Sequence, residues 1–216
     1  MSHRTIVRGL PDPNAVPLEI ADLTICRRGL RLIDQLRLRL NPGEILTVTG
    51  VSGCGKTTLL RTIAGTAEAT GGSVRRHPGL AQVFQEPRLL PWYSILQNLV
   101  LFAADPLTAL FDAEDWLERV GLSDATELYP AQLSGGMRQR AAIARAMITR
   151  PRLLLVDEPF SALDRELAAG LRQQLLQIVT TEQIATVWVT HDLHEAELIG
   201  TSRLRLFGHP GDWTLA

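Results

Sequence analysis

The stretch Gly50-Val-Ser-Gly-Cys-Gly-Lys-Thr-Thr58 decides the fold. It matches the pattern G-x-x-x-x-G-K-[ST] and lies between a run of strand character, Ile45 to Thr49, and a run of helical character, Lys56 to Ala64. A glycine-rich loop in that position closes backbone N–H groups around phosphate, and the start of the helix adds positive charge. The stretch, called the P-loop below, therefore predicts an α/β domain that binds a nucleoside triphosphate.

Each residue type in the P-loop suits the binding of MgATP. The glycines let the backbone approach the phosphates, Lys56 is expected to hold the β and γ phosphates, and Thr57 to place its hydroxyl on Mg²⁺. Lys56 is the only lysine among 22 Lys+Arg, which is consistent with a need for a compact point charge there. The predicted nucleotide-binding residues of this loop are Gly50, Val51, Ser52, Gly53, Cys54, Gly55, Lys56, Thr57 and Thr58.

Two carboxylates end the apolar run that begins at Leu153. Asp157 is predicted to reach Mg²⁺ through its water shell, and Glu158 to polarise the attacking water as a general base. Alone, such a pair is often just a solvated strand end. With a P-loop upstream, the functional reading is favoured.

Other polar residues follow further predicted strands. Gln85 comes after Leu80 to Phe84, and His191 after Thr186 to Thr190. Because ligands of parallel α/β sheets lie at the carboxyl ends of the strands, these side chains are expected to share one site with the P-loop and the two carboxylates. A lone histidine is more often structural, and a metal site around His191 matches no known zinc motif.

The order of elements predicts an α/β protein with a largely parallel sheet. Helices are predicted at Ala113 to Val120, Met137 to Ile148 and Arg165 to Thr180, and antiparallel strands around Arg31 to Leu40, closed by a turn at Asn41-Pro42-Gly43. The predicted division is a loose segment at 1–17 and one domain at 18–216, in which the core comprises 18–86 and 150–216 and a helical subdomain comprises 87–149.

Composition excludes several classes of protein. The 216 residues carry a formal net charge of -1 with 45% hydrophobic residues, so neither disorder nor a basic nucleic-acid-binding surface is indicated. Cys26 and Cys54 form no disulfide or zinc pattern. No run reaches the ~20 apolar residues of a membrane span, and residues 1–17 lack the apolar core of a signal peptide. Any membrane role is expected to be peripheral.

The run Leu133-Ser-Gly-Gly-Met-Arg-Gln-Arg140, called the signature segment below, precedes a predicted helix with Ser134 as its N-cap. Together with GVSGCGKTT, LLLVDEP, SALD and THD in that order, it resembles the ABC ATPase family from about Leu18 to Phe207. The resemblance implies a P-loop NTPase of ABC type, with a RecA-like parallel core, an N-terminal antiparallel β part and an inserted helical subdomain.

The resemblance further implies a head-to-tail dimer, identical or with a paralogous cassette, that hydrolyses ATP with Mg²⁺. Each P-loop would face Ser134, Gly135 and Gly136 of the other copy. Gln85 is implied as the Q-loop contact to Mg²⁺ and to the permease, Ala162-Leu163-Asp164 as the D-loop, and His191 as the switch at the γ-phosphate. Asp164 is also predicted as a helix N-cap.

The segment Phe84-Gln-Glu-Pro-Arg-Leu-Leu-Pro-Trp92 resembles the importer branch that serves nitrate, sulfonate, taurine and related anions. That branch implies a separate permease reached through the Q-loop and the helical subdomain, an external solute-binding protein, and a peripheral place on the cytoplasmic side of the inner membrane. Trp92, Tyr93 and Ile95 are predicted either as an apolar contact patch for the permease or as core residues.

The chain departs from the family where an aromatic ring usually stacks on adenine. No aromatic residue occurs between Leu18 and Gly50, so Arg27, or else Arg28, is predicted to stack on the base. No C-terminal regulatory domain is expected after the short stretch that follows His191. Two alternatives stay open at this point: a non-transport ABC ATPase acting on ribosomes or nucleic acid, and a nucleotide-binding partner that does not hydrolyse.

Overall fold

A computed structural model describes residues 16–216 of the chain. Residues 1–15 of the segment predicted to be loose lie outside the described residues. Two short 3-10 turns, Ser123–Ala125 and Pro130–Gln132, accompany the regular elements, which are in chain order β1 Leu18–Arg27, β2 Leu30–Leu40, β3 Ile45–Thr49, α1 Lys56–Ala64, β4 Gly71–Arg76, β5 Leu80–Val83, α2 Ile95–Val100, α3 Ala109–Arg119, α4 Gly135–Met147, β6 Leu153–Asp157, α5 Arg165–Thr181, β7 Ala185–Val189, α6 Leu193–Ile199, β8 Ser202–Gly208 and β9 Asp212–Leu215.

The central sheet has the strand order β5-β6-β7-β3-β8-β9, and every neighbouring pair except β8 and β9 is parallel. Strands β3 and β7 are buried along their whole length, because helices and a second sheet cover the two faces. The predicted strands at Ile45, Leu80, Leu153 and Thr186 are confirmed to within about one residue at each end. The largely parallel α/β architecture is confirmed as well.

The antiparallel part is a separate sheet of order β2-β1-β4. Strand β2 pairs with the preceding β1, and the turn between them contains Arg28 and Gly29, both with positive φ. The prediction that Asn41-Pro42-Gly43 closes antiparallel strands was wrong, since this turn leads instead from β2 into β3 of the other sheet. Alternate residues of β2 face a shared apolar cluster, and this alternation is why the sequence revealed a strand without revealing its partner.

Only helices and turns connect β5 to β6. Helices α2, α3 and α4 bury one face each in a single apolar cluster that reaches the parallel sheet. The predicted N-caps are confirmed, because Ser134 accepts the amide of Met137 at 3.2 Å and Asp164 accepts the amide of Leu167 at 2.9 Å. The division into core and helical subdomain stays a prediction. Across residues 16–216, no helix is both long and apolar enough to cross a membrane.

Asn98 fixes the segment that follows Gln85. Its side chain is fully buried, and its Oδ1 accepts the amide of Leu90 at 2.8 Å. Its Nδ2 donates to the carbonyl oxygens of Leu90, Tyr93 and Ser94 at 3.0–3.1 Å. One buried amide thereby satisfies backbone groups that would otherwise lie away from water without partners. The segment from Leu90 to Ser94 is consequently held in one conformation.

We expect the substitution Asn98→Ala to lower the free energy of unfolding by about 2 kcal/mol, because it leaves buried backbone groups unpaired. For a chain of this length, the midpoint of thermal unfolding should fall by roughly 4–8 °C. Circular dichroism during heating measures it. Gln177→Ala, which removes an exposed amide of α5, is the matched control. Equal midpoints for the two variants would contradict this role of Asn98.

Candidate functional site

The carboxyl ends of adjacent strands β5, β6, β7 and β3 form one edge of the central sheet. They are followed by Gln85, by Asp157 and Glu158, by His191 and by the P-loop, in that spatial order. The predicted convergence of these strand ends is therefore confirmed by the topology. The edge gathers acidic, basic and amide groups at one place on an otherwise apolar sheet.

The P-loop follows β3 with left-handed or similarly unusual backbone at Gly50, Gly53 and Gly55, whose φ angles are 146°, 80° and 113°. A Cβ at Gly50 would collide with the carbonyl oxygen of Leu206 on β8, so this position requires glycine. Lys56 is the first residue of α1, and its Nζ donates to the Gly50 carbonyl oxygen at 2.7 Å. The side chain of Lys56 therefore binds the backbone at the first residue of the same loop.

The Glu158 carboxylate lies between the side chains of Lys56 and His191. Its Oε1 is 4.0 Å from Lys56 Nζ, and its Oε2 is 3.1 Å from His191 Nδ1. Its backbone has a φ of 43°, which is uncommon for a residue other than glycine and turns the chain sharply after β6. The carboxylate is therefore aimed toward the P-loop rather than along the strand direction.

The pKa of Asp157 lies above its ordinary value, first because burial disfavours the charged form and second because Glu158 is a neighbouring carboxylate. Arg61, Lys56 and Arg88 act in the opposite direction without cancelling the rise. The protein alone thus leaves negative charge at the end of β6 under-compensated. A divalent cation with oxygen ligands fits this place, because it would offset the repulsion between the two carboxylates.

Gln85 is joined to the turn after β6 through Ser161, the first residue of the SALD motif, for which no role was predicted. Gln85 Nε2 donates to Ser161 Oγ at 3.0 Å, and Ser161 Oγ donates to the carbonyl oxygen of Glu158 at 3.1 Å. The carbonyl oxygen of Phe84, the residue before Gln85, accepts a hydrogen bond from Gln139 Nε2 of α4 at 3.3 Å. The segment after β5 is therefore hydrogen-bonded, through Ser161, to the backbone of Glu158 and, through Gln139, to α4, the helix that begins in the signature segment.

A cavity of about 460 Å³ adjoins the P-loop. The side chains of Lys56, Glu158 and His191 lie around it, so the predicted phosphate-binding and catalytic groups share one space. Sequence reasoning missed its far wall, which β8 and α6 supply, because no motif marks these positions. That wall consists of Leu193, Arg205, Leu206 and Phe207.

The signature segment lies elsewhere. Ser134 and Gly135 are at the start of α4, and Gly136 is buried against α5, where an added Cβ would come within 2.8 Å of Leu167 Cδ2. Within residues 16–216, neither cavity that contains Glu158 is lined by any residue of the signature segment. The P-loop and the signature segment of one chain therefore lie at separate places, and the expectation that each P-loop faces the signature segment of another copy stays a prediction.

The remaining predicted residues have mixed placements. Thr57 is exposed on the first turn of α1 and Thr58 is half-buried behind it. The Arg27 guanidinium donates to the carbonyl oxygens of Cys26 and Glu68 at 3.1 and 3.0 Å, while Arg28 is exposed in the β1–β2 turn. A role for Arg27 at the base stays a prediction.

The polar residues around His191 have partners other than a metal. Asp192 caps α6, and Glu195 is bound by Arg172 at 2.9 Å and by the Thr190 hydroxyl at 2.7 Å. The bonds from the α6 amides lower the pKa of Asp192, with the amide of Glu195 as the main cause. Within the described part of the chain, no group of His, Cys, Asp and Glu has the arrangement of a metal site.

Trp92 and Ile95, which were predicted either to form a contact patch for a permease or to be core residues, lie in different surroundings. Ile95 is fully buried, so of the two alternatives the core position is confirmed for this residue, because α2 turns this face into the core. Trp92 is 70% exposed and stays available for contact.

The chain is similar in sequence to members of one protein family. The profile of the ABC transporter family matches residues 33–161. An aliphatic sulfonates import ATP-binding protein, SsuB 1 of Pseudomonas aeruginosa, is 42% identical over 212 residues, which cover 90% of this chain and 83% of that protein. A SsuB 2 protein of Burkholderia lata is 44% identical over 209 residues, covering 91% of this chain and 76% of the relative.

Solved structures agree. A metal-chelate type ABC transporter in an inward-facing conformation is similar with a TM-score of 0.83 and 27% identity, covering 93% of this chain and 83% of that chain. CbiO1 from Clostridium perfringens, part of the ABC transporter complex cbiONQ, shares the fold with a TM-score of 0.82 at 20% identity, covering 92% of this chain and 87% of that chain. The P-loop, the paired carboxylates and the signature segment, in the order and on the elements described above, are thus those of a known family: the chain belongs to the ATP-binding proteins of ABC transporters, which are ATPases.

Proposed function

We propose that this chain is the ATP-hydrolysing subunit of an ABC importer and that it works as a head-to-tail dimer beneath a separate permease. One observation carries the proposal. Lys56, Glu158 and His191 converge on one cavity beside the P-loop, while Ser134, in the same chain, lies outside that cavity. A nucleotide site of this kind has its chemical groups in one copy and needs a second copy to cover it.

The P-loop is proposed to hold the triphosphate. Gly50, Gly53 and Gly55 keep backbone N–H groups free of side chains, and the start of α1 points its amides toward the loop. Lys56 already donates to the Gly50 carbonyl oxygen at 2.7 Å, so a phosphate oxygen has only to replace or share that acceptor. Mg²⁺, held by Thr57, Gln85 and Asp157, would neutralise phosphate charge during hydrolysis.

Glu158 and His191 are proposed as the hydrolytic groups. Glu158 Oε2 lies 3.1 Å from His191 Nδ1, so the histidine holds the carboxylate in one orientation. A carboxylate fixed at the edge of the phosphate cavity can accept the proton of a water molecule that attacks the terminal phosphorus. Lys56 Nζ lies 4.0 Å from the other carboxylate oxygen, so the carboxylate is placed between the phosphate-binding lysine and the histidine.

A second copy is proposed to complete the site with its signature segment. Ser134 is exposed at the start of α4, where amides not used in the helix can bind an anion. Around the P-loop cavity, Val51, Leu193 and Phe207 are 71%, 52% and 47% exposed, an apolar rim that favours being covered.

The permease is proposed to dock on the helices between β5 and β6. Exposed apolar side chains are concentrated there: Trp92 is 70%, Leu107 95%, Leu110 56% and Phe111 73% exposed. Trp92 belongs to the segment Leu90 to Ser94 that Asn98 fixes, and Gln85 precedes that segment in the chain. A displacement of this segment by the permease would be transmitted to Glu158 through the hydrogen bonds of Gln85 and Ser161. The proposed place of the chain is therefore the cytoplasmic side of the inner membrane.

The transported solute is proposed to be a sulfonate or a related small anion. This proposal depends on the relatives that carry the name aliphatic sulfonates import ATP-binding protein at 42–44% identity. Solute selection belongs to the permease and to an external binding protein. The alternative of an ABC ATPase acting on ribosomes or nucleic acid is not favoured by these relatives or by a net charge of -1.

Lys56→Ala tests the P-loop assignment. The variant loses the only lysine and with it the compact charge at the phosphates, so we expect isothermal titration to detect no ATP binding at concentrations that saturate the wild type. Arg39→Ala removes an equal charge from the exposed face of β2 and should bind ATP normally. Unchanged ATP affinity after Lys56→Ala would overturn the assignment.

Glu158→Gln tests the proposed base. ATP binding should persist while turnover falls by about 10²- to 10⁴-fold, since the amide cannot accept the proton of water. Size-exclusion chromatography with ATP should then show a stable dimer. Glu114→Gln, on the exposed side of α3, is the control. Turnover that survives in Glu158→Gln at the wild-type rate would rule out this role.

Asp157→Asn tests the charge at the cation site. The pKa of Asp157 is raised in the folded protein, so at a pH above that pKa the ionised carboxylate lowers the free energy of unfolding of the nucleotide-free protein. This destabilisation disappears once the pH falls below the ordinary pKa of an aspartate, because the carboxyl group is then protonated in both the folded and the unfolded chain. We expect the midpoint of thermal unfolding at pH 7 to rise by roughly 2–4 °C, and the difference from wild type to shrink in acid. Asp212→Asn should show neither effect; a lower midpoint for Asp157→Asn at pH 7 would contradict the account.

A further inference from the structure

Arg205 is a cation beside the P-loop that no motif singles out. In β8, Leu204 and Leu206 face the apolar core, while Arg203, Arg205 and Phe207 alternate with them on the open face. Arg205 and Phe207 line the cavity that also contains Lys56 and His191, whereas Arg203 does not. Two exposed arginines of one strand therefore differ in whether they reach the nucleotide site.

The charges around this cavity do not balance. The single carboxylate of Glu158 has two neighbours: one of its oxygens is 4.0 Å from Lys56 Nζ and the other is 3.1 Å from His191 Nδ1. Among residues 16–216, the Arg205 guanidinium has no hydrogen-bonded or ion-pair partner, while the Arg203 guanidinium is 4.0 Å from a carboxylate oxygen of Glu197. The cavity thus carries a positive charge that no carboxylate of the described chain neutralises.

The Arg205 guanidinium is held near the cavity by an aromatic neighbour. It lies 5.3 Å from the centre of the Phe207 ring, which is within the range of a weak cation–π contact. Such a contact restrains the side chain without using its N–H donors. The donors therefore remain available to an acceptor that enters the cavity.

We propose that Arg205 binds the terminal phosphate of a nucleoside triphosphate and thereby raises the preference of this site for ATP over ADP. This inference rests on the proposed function, because it needs a nucleotide on the P-loop. A planar guanidinium offers paired donors that match phosphate oxygens, and phosphate supplies the negative charge that the cavity lacks. A diphosphate ends one phosphoryl group earlier, so it gains nothing from a cation placed at the outer wall.

The proposal gives β8 a part in the nucleotide cycle. Binding of the triphosphate brings Arg205 an ionic partner, and loss of the terminal phosphate after hydrolysis removes it again. The affinity for the product then falls by the contribution of this contact. Arg205 is thus a specificity-determining residue, distinct from Lys56, which contacts the phosphates of both nucleotides.

The test compares dissociation constants for the non-hydrolysable analogue AMP-PNP and for ADP, both with Mg²⁺, by isothermal titration at protein concentrations that keep the chain monomeric. Arg205→Ala should weaken AMP-PNP by roughly tenfold and leave ADP within about twofold. Arg205→Glu should weaken AMP-PNP further. Arg203→Ala, the matched arginine of the same strand face, should leave both constants within about twofold of wild type.

The outcomes separate the inference from the proposed function. An unchanged ratio of the two dissociation constants in both Arg205 variants, with wild type binding both nucleotides, overturns the inference alone. An equal loss for AMP-PNP and ADP also overturns it, since the contact would then not involve the terminal phosphate. Wild-type protein that binds neither nucleotide would overturn the proposed function itself.

Discussion

Burial of the central sheet on both faces is the constraint on which the rest of the structure depends. Strands β3, β6 and β7 are packed between two apolar clusters, so charged groups have no place along their length. Charged residues are therefore confined to the strand ends, and the order β5-β6-β7-β3 makes those ends neighbours. The meeting of Lys56, Glu158 and His191 follows from this arrangement, because each residue belongs to the segment that follows one of these buried strands.

Much of this site was predictable from the sequence, and the limits have physical causes. The P-loop, the end of β6 and the cap at Ser134 carry local patterns that a single segment reveals. The burial of Ile95 depends on contacts with distant segments, and the pairing of β2 with the adjacent β1 depends on a turn at Arg28 and Gly29 that the alternation of β2 does not reveal. The contacts of Ser161 and Arg205 were missed for a related reason: Ser161 belongs to the SALD motif, but its partners lie on other segments, and Arg205 belongs to no motif.

The contact between α4 and α5 gives the signature segment a fixed relation to the loop before α5. Gly136 has no room for a side chain beside Leu167, and a Cβ at Gly135 would meet Leu163 at 3.4 Å. The signature segment and the loop before α5 are therefore packed together within each chain. A displacement of the helices that are proposed to contact a permease would move both, which would give a physical route from a membrane partner to the nucleotide.

The central claim is that the P-loop of one copy meets the signature segment of another across ATP. Disulfide trapping between Ser52→Cys and Ser134→Cys, in a background with Cys26→Ala and Cys54→Ala, tests it most directly, with each single cysteine as a control. The account predicts a disulfide-linked band at twice the chain's mass that requires both new cysteines and increases with ATP. A disulfide formed only within one chain, or no ATP-dependent product, would contradict it.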